Sequence, residues 1–324
     1  MLHVLNGDSV RFGLEDSGIP GDIAVWADPL YEGPVPLNDD AAFREARARF
    51  HTGESFSLGE ALALHGDWDA ALARAATTDE VVLWFEHDLH DQLLLVRHLD
   101  WLPRNAPGVP VSLICIGEFP GVVPFYGLGQ LDAEQLASLF PTRLDVSAQQ
   151  FELGRAAWKA FTGADPRAIE RLLAGDTSSL PFLEGALVRL LEEFPDRETG
   201  LSRTERSVLD LLATHGTLAF IELFPLHQHT EERPYMGDLT FWSRLRDLSA
   251  GPRPLLSLDP SYGDSEFRIA RASITDAGRR VLAGEMDWMS TAQIDRWIGG
   301  SHVVSPHPSW RWDREARRLV QSGQ

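Results

Sequence analysis

Four short apolar runs, at residues 2–5, 23–26, 81–85 and 111–116, lie within the first 120 residues, and each is nearly continuous rather than alternating. A strand with one wet face alternates apolar and polar side chains. A continuous run implies burial on both faces, as in a parallel sheet covered by helices. The segments between the runs support this. Leu58, Ala61, His65, Trp68 and Leu72 recur at threes and fours, with Gly66 and Asp67 as a potential break, and residues 93–96 with Leu99 repeat the pattern after the third run. The expected first domain, residues 1–145, is therefore an α/β layered domain built on a parallel sheet.

Beyond Gly129 the strand signal fades. Helical periodicity over 133–140, 148–161, 166–174 and 181–194 predicts a helical connector at 146–197. Ser202 with Glu205 three residues on has capping-box spacing and opens a new helix. A helix over 240–248, a hairpin-like pair at 254–258 and 267–274, a turn-rich link at 259–266 and a last helix over 276–282 outline a winged-helix-like domain at 198–290. The remaining 291–324 form a Trp/Arg-rich tail with Trp297, Trp310 and Trp312, net +3 over 296–324. Tryptophans reward burial, so the tail is expected to dock on the body.

Composition removes several chemistries. Cys115 is the single cysteine, which excludes an intrachain disulfide and a cysteine-built zinc site. Lys159 is the single lysine. It lacks the glycine before it and the hydroxyl after it that a phosphate-binding P-loop requires, and a Schiff-base enzyme would depend on this one residue. No apolar run approaches the roughly 18 residues of a membrane span and no basic leader opens the chain, so the expectation is a soluble cytoplasmic protein with no membrane partner. Residues 1–150 carry 8 Arg against 23 Asp and Glu, net −15, whereas 151–324 carry 21 cations against 25 acids, net −4. Such an acidic first half repels a nucleic-acid backbone.

Ligands of parallel α/β sheets bind beyond the carboxyl ends of the strands. Here those ends carry Asn6-Gly7-Asp8-Ser9, Asp28 with Glu32, Glu86-His87-Asp88, and Gly117-Glu118. Helix capping explains Ser9 or Asp28 taken singly. Three ionisable groups at the edge of a buried strand are costly unless paired or used, so Glu86, His87 and Asp88 stand out. With Asp91 one turn on, His87, Asp88 and Asp91 are candidate ligands for a divalent metal, although the spacing matches no strong zinc pattern. Gly-Asp-Ser at 7–9 also has the look of a serine esterase block, but the Asp-x-x-His such enzymes need is absent from the chain. Gly127-x-Gly129 lacks a third glycine and reads as a loop.

The segments HVLNGDS at 3–9, VWADPLYEGP at 25–34, LWFEHDLHDQ at 83–92, EERPYMGD at 231–238 and DRWIGGSH at 295–302 together resemble the bacterial domain of unknown function 1835 group with its usual C-terminal companion domain. The resemblance spans nearly the whole chain and supplies positions rather than a reaction. It implies that Asn6, Asp8, Glu32, Glu86, His87, Asp88, Gln92, Arg233, Asp238, Arg296 and His302 occupy motif positions, while Ala27 stands where a larger polar residue is expected.

Two functions follow as expectations. In the first, Asp8, Glu86, His87 and Asp88 are catalytic. His87 serves as general base or metal ligand, Asp8 and Asp88 orient it or share the metal, and Asn6, Ser9, Glu32, Gln92, Arg233, Asp238, Arg296 and His302 bind substrate. Arginines receiving an anionic group would suit acid/base or metal-assisted hydrolysis or transfer on a phosphorylated or nucleotide-like small molecule. Residues 231–238 and 295–312 would then wall an Asp8/His87 cleft. In the second, the α/β domain senses a ligand and the winged helix binds DNA. Residues 201–285 hold 10 Arg against 12 acids, and the helix at 240–248 offers Arg244 and Arg246 beside Asp238 and Asp247, which is thin for phosphate neutralisation and disfavours DNA.

Overall fold

The strand-like runs of the first 120 residues form one sheet in the computed structural model, which describes residues 1–36, 40–52, 56–259 and 267–322. The chain separates into two compact units, Met1–Leu187 and Val188–Gln324, with the division inside a helix.

In the first unit the order is β1 (Leu2–Leu5), α1 (Asp8–Asp16), β2 (Asp22–Val25), α2 (Asp40–Phe50), α3 (Leu58–Ala73), β3 (Val81–Glu86), α4 (Leu89–Asn105), β4 (Val111–Ile116), α5 (Ala133–Leu139), β5 (Leu144–Asp145), α6 (Ala148–Thr162), α7 (Arg167–Leu173) and α8 (Leu183–Leu191). The sheet order is β2-β1-β3-β4-β5, parallel throughout except for the two-residue antiparallel edge strand β5. The fold class is therefore α/β on a parallel-dominated sheet, as the continuous runs require. Every residue of β3 is buried. Val82 and Trp84 pack with Val10 and Leu14 of α1 and Leu136 of α5, and strand alternation turns Leu83 and Phe85 to the opposite layer.

Local chemistry sets the helix starts. Capping boxes open α3 at Ser57/Glu60, α5 at Asp132/Gln135 and α6 at Ser147/Gln150, and Asp88 caps α4 by accepting from the Asp91 amide. The expected break at Gly66 and Asp67 does not occur. α3 runs through them, because a single glycine on an outer face costs only about 1 kcal/mol against the packing of a 16-residue helix. α6 lies against α4, and Gly154 permits the approach: a Cβ there would sit 2.5 Å from Leu99 Cβ. The helices expected as a connector thus include one that is integral to the first unit.

The second unit continues with α9 (Arg203–His215), β6 (Leu218–Ala219), α10 (Phe220–Gln228), α11 (Asp238–Ser249), β7 (Leu256–Leu258), β8 (Arg271–Ile274) and α12 (Asp276–Leu282). Two hairpins follow, β9 (Asp295–Ile298) with β10 (Ser301–Val304) and β11 (Trp310–Asp313) with β12 (Arg318–Gln321). Ser202 and Glu205 form the expected capping box, and β6-β8-β7 is an antiparallel sheet. The turn expected at 259–266 lies, from residue 260 on, outside the described residues. The tail tryptophan Trp312 is buried; its amide donates to the Pro195 carbonyl and its carbonyl accepts from Arg197. No helix among the described residues is long and apolar enough to cross a membrane.

Candidate functional site

Strand order reverses between β1 and β3, because the chain leaves β1 toward β2 and then crosses back to the other side of β1. This is the place where open parallel sheets leave a crevice beyond the strand ends. β1 ends before Asn6, β3 ends on Glu86, and α4 begins with Asp88 as its cap. The three elements bring Glu86, Asp88 and Asp91 together so that one carboxylate oxygen of each lies within 4.8 Å of the others, all three residues being buried.

The trio is held by directed hydrogen bonds. Asn6 Nδ2 donates to Asp91 Oδ2 at 2.7 Å, the Glu86 amide to Asp91 Oδ1 at 2.9 Å, and the Asp91 amide to Asp88 Oδ1 at 3.0 Å. The Leu128 amide donates to Glu86 Oε1 at 2.6 Å, and Gln92 Nε2 anchors the Glu86 carbonyl at 2.6 Å. Gly127 makes the Leu128 bond possible: it sits at φ +154°, and a Cβ would lie 2.0 Å from Glu86 Oε2. Burial, then the neighbouring Asp88, pushes the Glu86 carboxyl up to about 8 against the pull of the Leu128 amide. Burial followed by Glu86 and Asp88 raises Asp91 well above the carboxylate range. Burying three acids this close together is costly, a cost that protonation or a bound cation would offset. Asn6 Oδ1, buried and without a partner among the described residues, adds a further oxygen beside Asp91. Oxygen-only donors suit hard divalent ions such as Mg²⁺, Mn²⁺ or Ca²⁺.

Several expected roles change. His87 is outside the trio: its ring stacks on Phe125 at 5.9 Å and meets Phe182 edge-on at 6.0 Å, so Glu86 takes the place foreseen for it beside Asp88 and Asp91. Asp8 is exposed on the first turn of α1, paired with Arg11 at 3.2 Å, and lines a groove of about 530 Å³ with Arg11, Glu15, Asp22, Asp67 and Trp68. From the first strand end it is Asn6, not Asp8, that reaches the carboxylates, since α1 carries Asp8 outward. Ser9 is exposed beside Gly129, and no carboxylate or imidazole bonds it among the described residues, which removes the geometry of an activated serine.

The Glu32 carbonyl accepts from Arg47 Nη1 at 2.6 Å, within a second buried group that the sequence did not announce. Asp28 there is fully buried. Arg47 grips it bidentately, Nε to Oδ2 at 2.8 Å and Nη2 to Oδ1 at 2.5 Å, and His51 Nε2 lies 2.9 Å from Oδ1. Burial opposes the charge, but the guanidinium and the imidazole hold Asp28 far below the usual carboxylate range. Arg47 comes from α2, His51 directly follows that helix and His65 comes from α3, and only helix packing brings them to Asp28, so no spacing could have marked them.

In the second unit several motif residues are engaged within that unit. Arg296 pairs with buried Glu205. Asp238 opens α11 and pairs with Arg268 at 2.9 Å. His302 stacks on Trp297 at 4.4 Å and bonds Asp295 at 2.5 Å. Arg233 is half-buried in the segment leading to α11, and its neighbour Glu231 grips buried Arg189 bidentately at 2.8 and 2.7 Å.

Compared with known proteins, the chain matches no family model and no curated protein.

Proposed function

We propose that the first unit is a hydrolase or group transferase acting on a phosphorylated or nucleotide-like small molecule at the β1/β3 switch point. Glu86, Asp88 and Asp91 hold a divalent cation there, and Asn6 and Gln92 fix the carboxylates. The reading rests on one observation: three buried carboxylates converge at a strand-order reversal, with one oxygen of each within 4.8 Å of the others. A bound divalent ion would polarise a phosphoryl oxygen and offset charge developing on the reacting group. The resemblance to the 1835 group favours the same place, because Asn6, Glu86, Asp88 and Gln92 are all motif positions.

Calorimetric titration of the full chain with Mg²⁺ or Mn²⁺ tests this. Binding should release protons at neutral pH, because burial raises the Glu86 and Asp91 carboxyls and a bound cation favours their ionised forms. Asp91→Asn should weaken binding by at least about tenfold and abolish turnover of phosphoester or nucleotide probes. Unchanged metal affinity in that variant would sink the proposal.

The second reading, a ligand-sensing regulator, is supported by the order α9-β6-α10-α11-β7-β8 with a small antiparallel sheet, β6-β8-β7, after three helices. The recognition-helix position would fall to α11. Arg244 is buried there and Arg246 is the exposed cation, so we read the module as a structural or protein-contact domain rather than a DNA binder.

A further inference from the structure

A second feature of the first unit is a cavity of about 240 Å³ lined from α2, α4 and α6, and none of its lining residues belongs to the carboxylate trio. α4 supplies Arg97, Asp100, Trp101 and Arg104, whose i, i+3, i+4, i+7 spacing places four side chains on one helix face. Phe43 of α2 and Trp158 of α6 complete the wall, both buried, with ring centroids 6.1 Å apart.

Arg97 is the unusual member. It is 5% exposed, and its guanidinium lies over the Trp26 ring at 3.7 Å. The acid paired with it is Asp69, whose Oδ1 is 3.8 Å from Nη2, beyond hydrogen-bond reach. That carboxylate already accepts from Trp26 Nε1 at 3.2 Å and Arg44 Nη1 at 3.1 Å. Arg97 Nη1 is buried and has no hydrogen-bond partner among the described residues. Burial pushes the Arg97 pKa down to about 10, against the pull of Asp69, Asp40 and Asp28. A guanidinium carries five donors in a rigid planar fork, and a buried donor left unmet is costly. Stacking on Trp26 occupies its face, whereas hydrogen bonds are made at its edge, so an acceptor can join without displacing the ring.

The other charges around the cavity are engaged. Arg104 Nη2 donates to Asp100 at 2.7 Å, and Asp40 accepts from Trp101 Nε1 at 3.2 Å. Two arginines and two aspartates balance in the lining, with Asp69 beside Arg97, so a singly charged anion suits the surroundings better than a doubly charged phosphate. Three aromatic rings form the rest of the wall, and the volume is below the roughly 300 Å³ at which pockets for larger ligands begin. One ring bearing one acid group meets both conditions.

We propose that this cavity binds a small aromatic carboxylate, with its acid group on the Arg97 guanidinium and its ring among Phe43, Trp101 and Trp158. The carboxylate supplies the acceptor that Nη1 lacks, and the aromatic walls take the ring out of water. The inference does not depend on the cation site at β1/β3.

Benzoate is the probe, titrated calorimetrically into the 324-residue chain at neutral pH while tryptophan fluorescence is followed in parallel. One saturable site is expected. Benzamide keeps the ring without the charge and acetate keeps the charge without the ring, and each should bind at least about tenfold more weakly. Trp101→Ala removes a half-buried wall and should weaken benzoate at least about fivefold, with thermal unfolding confirming that the variant folds. Arg97→Gln should abolish binding; where that buried substitution prevents folding, Trp101→Ala and the benzamide comparison decide. Absence of saturable benzoate binding up to about 10 mM overturns the proposal. So does benzamide or acetate binding as tightly as benzoate, or an unaltered affinity in folded Trp101→Ala. Inorganic phosphate binding more tightly than benzoate would overturn it in favour of a plain anion site.

Discussion

Glu86 shows how one residue can be costly to the fold and useful to chemistry. Its carboxyl ends the central strand with 4% of its surface exposed, and it is kept in place by the Leu128 amide and the close approach of Gly127. Its pKa is raised to about 8 from an ordinary 4.5, so the folded protein retains a proton that the unfolded chain has lost. The sign follows from linkage. Metal-free protein is expected to lose stability as pH rises from about 4.5 toward 8, by at most ~1.4 kcal/mol per pH unit, and Glu86→Gln should flatten that slope. Urea denaturation at a series of pH values measures it. A stability that climbed through this window would mean that Glu86 is ionised and paired in the folded state.

The elements carry the site by the way they end and pack. α4 begins at the carboxylates, with Asp88 as both cap and cluster member, so the helix start and the site are one construction. The same helix is braced on its far side by α6, where the Leu99 side chain nests over Gly154. Gly154→Ala forces a methyl into a space already filled and should cost about 1–3 kcal/mol in thermal or urea unfolding. An unchanged midpoint would show that α4 and α6 can separate freely, and α4 would then be a less rigid base for Asp88 and Asp91.

For the molecule as a whole, charge decides between partners. Residues 1–150 are net −15 and residues 201–285 net −2, and several arginines of the second unit are locked to acids: Arg189 to Glu231, Arg206 to Asp196, Arg296 to Glu205 and Arg311 to Asp287. These pairs hold the second unit together rather than present cations to a phosphate backbone. The 324-residue chain should show no salt-dependent binding to duplex DNA at physiological ionic strength in fluorescence anisotropy. Affinity that fell steeply with salt would restore the regulator reading.

By itself the sequence determined the layered α/β unit, because strands buried on both faces must be apolar throughout and residues 2–5 and 111–116 announce this without any partner in view. It determined the helix starts at Ser202 and Asp276, where the cap or the first turn is a local contact within a few residues. It also pointed to Glu86 and Asp88, since charges at the end of a buried strand need a reason. Only the tertiary structure decided which groups those charges meet. Asn6 reaches Asp91 across 85 positions and Arg47 reaches Asp28 across 19, while Asp8 is carried outward by the first turn of α1 and His87 is drawn in among aromatic rings. Periodicity reports which face of an element is buried, but the partner of a buried charge is set by which elements pack side by side, and that is a property of the whole fold.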